Sequence, residues 1–458
     1  MSKKILLISP TVTLSETTRV KSPPAMRIPP LSLAILASIT PDDFEIEVID
    51  EEVENIDYDI NCDLVGISCM TSNAPRAYEV GKEFKKRGKT VVYGGVHPSC
   101  MPNEALQYGD SVVSGEAEGA WEVLLEDYRK GELKPIYRNF EPDLSGYPLA
   151  KRDLVKRKGV MFDLQPIITT RGCPYSCEFC YSPEFYGRTL RHIPTDRVIE
   201  DIVKSNSKIA FFLDDNIIGK PSYAKELFTK MKPLNIKWGA QASISFVKDG
   251  ELMKLARDSG CGLLFFGLET VSKDQLKNHR KGIKEINKLE DSIKRVQDLG
   301  IHFHASIVFG FDDDTESVFD DTLEFLIKNK IGSLNLNMLT PFPGTRLYKR
   351  FKEENRLLTE NWRYFDCRTV VIKPKNMTPM QLFNGFLKVK TEFSSFSSIL
   401  KRFPSKGNWS HPLLYAALNL GFRSTTKKQV KTRDEKMEDV YNSPIINSPQ
   451  MVIYENLA

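Results

Sequence analysis

The sequence lacks a membrane-length apolar run, a strong charge of either sign and a secretory signal. No segment reaches the roughly 18 apolar residues that a bilayer span requires, and the stretch Leu31–Ile39 is too short for one. Lys3 and Lys4 are followed by only four apolar residues, too few for a signal peptide. A formal net charge of +4 over 458 residues is too small to indicate nucleic-acid binding. We therefore expect a cytoplasmic protein with neither a transmembrane segment nor a nucleic-acid partner.

Cysteine is sparse outside one short segment. Five of the eight cysteines stand alone, so neither a disulfide framework nor an auxiliary iron–sulfur centre is expected. These single cysteines are Cys62, Cys69, Cys100, Cys261 and Cys367.

The remaining cysteines, Cys173, Cys177 and Cys180, are spaced Cys-x3-Cys-x2-Cys. Three thiolates at this spacing can hold three irons of a cubane [4Fe-4S] cluster and leave the fourth iron open, whereas four would close the cluster for electron transfer alone. An open iron can bind and reduce a substrate. A zinc site is the alternative, but it needs a fourth ligand nearby, and the nearest histidine, His192, is twelve residues on. The spacing favours the cluster.

The amino-terminal part of the chain alternates strand-like and helix-like stretches. The predicted strands are Ile5–Ser9, Phe44–Ile49, Leu64–Ser68, Thr90–Gly94 and Ser111–Ser114. The predicted helices are Leu31–Ile39, Ala74–Arg87 and Gly119–Lys130. Near-continuous apolar strands separated by helices predict a parallel sheet covered on both faces, in which ligands bind beyond the carboxyl ends of the strands. Glycine and serine at several strand ends either let a ligand approach the backbone closely or make tight turns.

A second alternating series starts at Pro166. Its predicted strands are Pro166–Thr170, Ile209–Leu213, Lys237–Ser243, Leu263–Leu268, His302–Phe309 and Ser333–Leu339. Its predicted helices are Thr195–Ser205, Ser222–Lys232, Lys248–Ser259, Ile286–Leu299 and Glu316–Asn329. Six strand–helix units predict an open relative of the eight-fold barrel, with its site at the carboxyl ends of the strands. The three clustered cysteines follow the first of these strands and therefore belong to that mouth.

The predicted fold is α/β, in five segments. A doubly wound, Rossmann-like domain covers residues 1–135, a linker 136–165, a partial (β/α)6 barrel 166–345, a mostly helical carboxyl-terminal region 346–422 and a flexible tail 423–458. In the helical region, Trp409 and Leu413–Leu420 suit either a site for an apolar molecule or an ordinary helical core. The basic residues around Lys427 and Lys431 are typical of a solvated tail rather than a binding patch.

The cysteine spacing at a barrel mouth, with Phe179 just before the third cysteine, resembles the radical S-adenosylmethionine (SAM) superfamily. The resemblance implies that Cys173, Cys177 and Cys180 hold the cluster and that the open iron binds SAM. It also implies contacts to SAM from other strand ends. These candidates are Phe179, Asp214, Asp215, Gln241, Glu269, Gly310 and Thr340. The two aspartates depart from the Gly-Gly-Glu run that is frequent in the superfamily, and either also suits a helix N-cap.

A doubly wound domain ahead of such a barrel resembles the cobalamin-binding radical SAM family, and within it the hopanoid 2-methylase group. The motifs behind this resemblance include Pro29-Pro-Leu-Ser-Leu33, Gly94-Gly-Val-His-Pro98, Gly115-Glu-Ala-Glu118, Trp238-Gly-Ala-Gln-Ala-Ser243 and Met377-Thr-Pro-Met-Gln-Leu382. The cobalamin contacts that it implies are Ser68, Thr71, Gly94, Gly95, His97, Gly115 and Glu116. Because no Asp-x-His-x-x-Gly run occurs in the first domain, His97 is not a safe cobalt ligand. It either touches the corrin edge or is an ordinary turn histidine.

The resemblance implies a methyltransferase whose cofactors are the [4Fe-4S] cluster, SAM and cobalamin. SAM at the open iron would yield a 5′-deoxyadenosyl radical that takes hydrogen from an unactivated carbon of an apolar or natural-product substrate, and cobalamin would supply the methyl group. The implied partners are a small, lipid-like substrate and an electron donor such as flavodoxin or ferredoxin. Two alternatives stay open: a radical SAM cyclase or rearrangement enzyme that does not methylate, and a non-catalytic regulator that binds cobalamin or a cluster.

Overall fold

The structure is a computed structural model that describes residues 3–13, 19–20, 27–157, 163–187, 189–272, 286–403, 412–431 and 433–442. The strands are β1 (Lys3–Ser9), β2 (Val12–Thr13), β3 (Arg19–Val20), β4 (Phe44–Asp50), β5 (Leu64–Ser68), β6 (Thr90–Gly94), β7 (Ser111–Gly115), β8 (Ile136–Asn139), β9 (Leu164–Ile167), β10 (Thr170–Arg171), β11 (Arg191–His192), β12 (Ile209–Phe212), β13 (Lys237–Ala242), β14 (Cys261–Glu269), β15 (His302–Phe309) and β16 (Ser333–Met338).

The helices follow the predicted alternation and continue past the last strand. They are α1 (Leu31–Ile39), α2 (Ala74–Lys86), α3 (Val96–Cys100), α4 (Pro102–Ala105), α5 (Ala120–Lys130), α6 (Ser182–Phe185), α7 (Thr195–Ser205), α8 (Pro221–Met231), α9 (Gly250–Asp258), α10 (Ile286–Asp298), α11 (Ser317–Lys328), α12 (Arg346–Glu353), α13 (Pro379–Phe393), α14 (Phe396–Lys401), α15 (Pro412–Lys431) and α16 (Arg433–Asn442).

The first sheet is parallel, with the strand order β4-β1-β5-β6-β7-β8. Ile5 and Leu7 of β1 belong to one core cluster and Leu6 and Ile8 to another, because successive side chains of a strand point to opposite faces. The first cluster also holds side chains of α1 and α5, and the second holds those of α2. The sheet is therefore covered on both faces. Its strand order reverses between β1 and β5, where doubly wound sheets bind ligands.

The second sheet is also parallel and runs in chain order, β9-β12-β13-β14-β15-β16. Along β14, Leu264 and Phe266 are buried in the core that includes the helices, whereas Leu263 and Phe265 are only partly buried. One face of the sheet thus packs on helices and the other stays open. A chain-ordered parallel sheet of this kind is a partial barrel, as predicted.

The carboxyl-terminal region is mostly helical, as predicted. Helix α13 begins with a reciprocal cap, in which Gln381 N donates to Thr378 Oγ1 at 3.1 Å and Thr378 N donates to Gln381 Oε1 at 2.7 Å. Helix α15 extends past residue 422 into the expected tail, because Asn419 and Gln429 anchor it through hydrogen bonds to Gly332 and Arg368. In the described parts of the chain, no helix is both long and apolar enough to cross a membrane.

One strand lies where a linker was expected. Residues Ile136–Asn139 form β8, which pairs in parallel with β7 and completes the first sheet. Only Tyr137 of this four-residue edge strand is buried. The strand therefore lacks the run of apolar residues by which the other strands could be predicted. The segment after it, up to residue 157, carries a short 3-10 helix at Arg152–Leu154 and neither a strand nor an α-helix.

Candidate active site

The carboxyl ends of both sheets face one cavity of about 460 Å³. From the first sheet, the carboxyl ends of β5, β6 and β7 line the cavity. Residues on one side of α1 also line it. The second sheet contributes residues at the carboxyl ends of β9, β12 and β13, and the segment after the cysteines completes the lining. The predicted residues that line the cavity are Ser68, Gly94, Gly95, Gly115, Glu116 and Gln241. A cleft of this volume between two domains is typical of a cofactor site.

The glycines of this cleft serve two different purposes. Gly95 and Gly115 have φ angles of +94° and +91°, and a Cβ on them would lie 2.6 Å from Cys69 O and 2.2 Å from Asn139 O. The fold itself requires these two glycines. Gly94 has no such constraint, because a Cβ there would meet only Val113 O, at 3.8 Å. The missing side chain of Gly94 therefore leaves room for a ligand on the end of β6.

The cysteine loop is held from behind by α12. Leu347 N donates to Glu178 O at 3.0 Å, Arg346 Nη2 to Ser176 O at 2.9 Å, and Arg350 Nη2 to Glu178 Oε1 at 2.8 Å. Cys173, Cys177 and Cys180 are each partly exposed on this loop. Three accessible thiols on one supported loop are a donor set that suits a cubane cluster with one open iron.

The structure also bears on the zinc alternative. Among the residues it describes, no three His, Cys, Asp or Glu side chains surround the position of a single ion. His192 lies in β11, with its ring centroid 4.7 Å from that of Tyr223. Thiolates on a cubane each bind a different iron, so this observation concerns mononuclear sites and not the cluster.

Asp214 is occupied by Thr169 and Thr170, which precede the cysteine loop. Its Oδ1 accepts hydrogen bonds from Thr169 Oγ1 at 2.7 Å, Thr170 Oγ1 at 2.6 Å and Thr170 N at 2.5 Å. Burial raises the pKa of Asp214 to about 6, and hydrogen bonds from the two threonines oppose this shift. With its oxygens so engaged, Asp214 ties β12 to β10 and has little capacity left for the ammonium group of SAM.

Of the other acidic and amide candidates, Gln241 lines the cleft, whereas Asp215 and Glu269 do not. Asp215 accepts a hydrogen bond from Ser182 Oγ at 2.5 Å, and burial raises its pKa. Gln241 is exposed in the cleft. Glu269 is buried with φ of +63°, where the register of β14 against β15 shifts. A non-glycine residue in the left-handed region costs of order 1 kcal/mol and is enriched at functional sites.

The remaining SAM candidates are packed against other parts of the fold. Phe179 has its ring centroid 6.0 Å from that of Phe311. Gly310 has φ of +110°, and a Cβ there would lie 3.2 Å from Leu382 in α13. Thr340 is buried and donates to Met338 O at 3.0 Å. None of these three residues lines the described cavity.

Buried charges join the first sheet to the two-stranded sheet of β10 and β11 beside the cleft. Glu116, 4% exposed, forms ion pairs with both Arg171 and Arg191. Glu118 binds Arg171 through contacts of 2.6 and 3.0 Å. Burial raises the pKa of Glu116, and the two arginines oppose that shift. The sequence suggested Glu116 as a rim residue, and the structure adds that it connects the end of β7 to the strand before the cysteines.

His97 and Thr71 are buried next to the cleft but do not line it. His97 Nε2 lies 3.3 Å from Glu104 Oε1, and Trp362 Nε1 donates to the same carboxylate at 2.9 and 3.1 Å. The His97 ring centroid is 5.3 Å from that of Trp362. The Gly-Gly-Val-His-Pro turn thus points its histidine into the contact between the first sheet and the carboxyl-terminal region.

Aromatic residues that the sequence did not single out also line the cleft. Tyr147, Tyr181, Phe185 and Tyr186 contribute to its wall. Burial raises the pKa of Tyr147, Tyr181 and Tyr186, so their hydroxyls stay protonated at neutral pH and can donate hydrogen bonds. Only Tyr181 had a signal in the sequence, because it directly follows the third cysteine.

Both halves of the fold match known protein families. Residues 21–125 match the B12 binding domain, and residues 167–326 match the radical SAM superfamily. The chain is 33% identical over 422 residues to bacteriochlorophyllide d C-12(1)-methyltransferase of Chlorobaculum tepidum, covering 89% of this chain and 91% of that protein. It is 26% identical over 387 residues to hopanoid C-2 methylase of Rhodopseudomonas palustris, covering 79% of this chain and 72% of that protein.

A solved structure has the same fold. Radical S-adenosylmethionine methyltransferase TsrM from Kitasatospora setae, with cobalamin and a [4Fe-4S] cluster bound, superimposes with a TM-score of 0.68 at 16% identity, covering 96% of this chain and 99% of that chain. The chain belongs to the cobalamin-dependent radical SAM methyltransferases. The predicted resemblance, fold class and cofactors, cobalamin, SAM and a [4Fe-4S] cluster, are thereby confirmed.

Proposed function

We propose that this protein methylates an unactivated carbon of an apolar, ring-bearing natural product such as a tetrapyrrole or a polycyclic lipid. The observation that carries the proposal is the shared cavity, whose walls are the ends of the first sheet on one side and Tyr181, next to the third cysteine, on the other. A ligand held on the first sheet would face the cysteine loop without an intervening layer. Bacteriochlorophyllide and hopanoid, named for two relatives, are both apolar ring systems.

The open face of the second sheet supports an apolar substrate. Phe211 and Phe265 are partly exposed there, with ring centroids 5.5 Å apart, and Leu263 is on the same face. Polar side chains share this face, among them Gln241, His304 and Asn337, which donates to Ser306 Oγ at 3.3 Å. A face that combines aromatic rings with polar groups suits a large ring system, since such pockets gain affinity from area and orientation from single hydrogen bonds.

In this proposal each wall of the cleft has its own task. Cys173, Cys177 and Cys180 hold the cluster, and Asp215, Gln241 and Glu269 are the acceptors placed to orient SAM. Ser68, Gly94, Gly95, Gly115 and Glu116 form the corrinoid wall. When bound, the cluster supplies an electron for the cleavage of SAM and the corrinoid supplies the methyl group. The tyrosines and the buried ion pairs would keep water out and hold the two walls at a fixed separation.

We further infer that the natural reductant is a small one-electron carrier of the flavodoxin or ferredoxin type. The cysteine loop is partly exposed, which suits transient electron transfer to the cluster. Reduced thiols and an incompletely ligated cluster also require a reducing compartment, which supports a cytoplasmic location.

Anaerobic reconstitution of matched variants tests the proposed walls. Gly94→Leu should retain iron and sulfide but lower corrinoid affinity by at least about 100-fold, or ~2.7 kcal/mol, because the added side chain enters the cavity. Cys177→Ala should lose the cluster. Gly146→Leu is the control, because Gly146 has no heavy atom within 4 Å of its added Cβ and lies outside the cleft. Corrinoid binding by Gly94→Leu at the wild-type level would contradict the proposed wall.

The product of the loaded protein then tests the reaction. Reduction in the presence of SAM and a tetrapyrrole or hopanoid acceptor should give a product heavier by one methyl group. A product of altered structure without added carbon would instead identify a cyclase or rearrangement enzyme. Zinc in place of iron at the three cysteines would overturn the proposal altogether.

A further inference from the structure

Helix α15 exposes two of its leucines while it buries polar side chains. Tyr415, Asn419 and Thr426 are each 2% exposed, whereas Leu413 is 85% exposed and Leu420 54%. A surface helix normally turns its apolar stripe to the core and its polar residues to water. The sequence allowed Leu413–Leu420 to be helical core. Leu414 and Leu418 are partly buried, but Leu413 and Leu420 are not, and Trp409 lies outside the described residues.

Hydrogen bonds fix the helix in this orientation. Asn419 Nδ2 donates to Gly332 O at 2.8 Å, and Arg402 Nη2 donates to Asn419 Oδ1 at 3.0 Å. Further along, Lys390 Nζ donates to Gln429 Oε1 at 2.5 Å. Rotating α15 to bury its leucines would break these bonds and leave buried polar groups without partners. The exposure of the leucines is therefore a fixed property of the fold.

The neighbouring helix α14 extends the exposed apolar surface. Phe396 is 60% exposed and Leu400 73%. The two helices are in contact, since the Arg423 guanidinium lies 4.3 Å from the Phe396 ring centre and Tyr415 Oη donates to Ile399 O at 2.6 Å. Among the described residues, six of the ten exposed large hydrophobic side chains lie between residues 396 and 441. We call Phe396, Leu400, Leu413 and Leu420 the apolar patch.

The charged residues of α14 and α15, the two helices that carry the apolar patch, are all basic. Between Glu392 and Asp434 the sequence contains no acidic residue and eight lysines or arginines. On α14 and α15 the side chains of Lys401, Lys427 and Lys431 are exposed. Two copies of this chain that met through the patch would bring like charges together. Exposed leucine and phenylalanine beside lysine and arginine are instead typical of a surface that contacts anionic lipid.

We propose that the apolar patch and its basic flank bind the surface of an anionic lipid bilayer. The apolar side chains enter the headgroup boundary and the lysines pair with lipid phosphates. This is peripheral contact, because the described helices include none that could span the bilayer. The proposal does not depend on the substrate, but an apolar substrate partitions into membranes, and a protein attached there would meet it at a raised concentration.

Vesicle flotation of the full-length protein tests the proposal. Wild type should float with vesicles made of equal parts phosphatidylglycerol and phosphatidylcholine, and should not float with phosphatidylcholine alone. The double variant Leu413→Glu, Leu420→Glu should lose most of this binding. Lys427→Gln with Lys431→Gln should lower partitioning by about 25-fold, at roughly five-fold per lysine, and added salt should weaken wild-type binding.

The control carries the same change at another exposed aliphatic position. Val203 on α7 is 60% exposed, and Val203→Glu should leave flotation unchanged. Circular dichroism verifies that each variant is folded, which we expect because all the substituted side chains are exposed. Wild type that stays with the unbound fraction, or a double variant that floats like wild type, would overturn the proposal. A concentration-dependent dimer that the double variant abolishes, without lipid binding, would overturn it in favour of self-association.

Discussion

Replacing Glu116 by glutamine removes one negative charge from the cleft with almost no change in side-chain shape. Glu116 neutralises Arg171 and Arg191, whose side chains are 9% and 15% exposed. Breaking a buried ion pair costs about 3–5 kcal/mol. In the variant, Glu118 still pairs with Arg171, and Arg191 reaches some solvent. We therefore expect Glu116→Gln to lower the stability of the cleft by about 2–4 kcal/mol.

This loss should appear as local opening of the cleft. A loss of about 2–4 kcal/mol raises the equilibrium constant for local opening by roughly 30- to 1,000-fold. Amide hydrogen exchange at residues 115–118 and 171–172 should accelerate by the same factor. Exchange in the middle of β1 should change much less. Glu126→Gln is the matched control, since Glu126 is 59% exposed and pairs with Lys130 on the surface of α5. If Glu116→Gln accelerates exchange at the cleft no more than Glu126→Gln does, the ion pairs do not hold the first sheet to β10 and β11.

Three further changes test single features of the fold. The wild-type Asp214 carboxyl has a pKa raised to about 6 and therefore favours folding when it is protonated. Its contribution to the free energy of unfolding, about 3 kcal/mol, is lost as pH rises from about 4 to 6. In Asp214→Asn this pH dependence should vanish, which urea unfolding at pH 4 and pH 7 would reveal. Arg402→Met should lower the free energy of unfolding by about 3–5 kcal/mol, because the fully buried guanidinium donates to three carbonyl oxygens and one side-chain amide oxygen. The control Lys401→Met, on the exposed side, should change the free energy of unfolding little. Trp362→Phe should lower the free energy of unfolding by about 1–3 kcal/mol, because it removes a donor from the Glu104 carboxylate. Hydrogen exchange in α3 and α4 should rise, and unchanged exchange there would contradict this role.

Most strand and helix positions could be predicted because burial on both faces leaves long apolar runs. The run His302–Phe309 became β15 with the same bounds, and Leu64–Ser68 became β5. Edge strand β8 could not be predicted, since only Tyr137 of its four residues is buried. The orientation of α15 was equally hidden, because it depends on partners such as Gly332 that are distant in sequence.

The candidate site divides in the same way. Cysteine spacing and the glycines after β6 and β7 are local features, so the sequence was sufficient to propose them. The direction of a side chain depends on neighbours that are distant in sequence. The sequence predicts Asp214 as a SAM contact, but the hydroxyls of two threonines beside the neighbouring strand occupy its carboxylate. Tyr147 and Tyr186 reach the cleft only because the two sheets meet there.

The walls of the cleft are also held by groups that lie outside it. Glu104 is buried, and Trp362 of the carboxyl-terminal region donates to its carboxylate, so that region contributes to satisfying a buried charge beside the first sheet. The same region begins with α12, whose Arg346 and Arg350 hold the cysteine loop. One segment thus contacts both sides of the cleft. It adds to the support from Glu116 and Arg171, which face the cavity themselves.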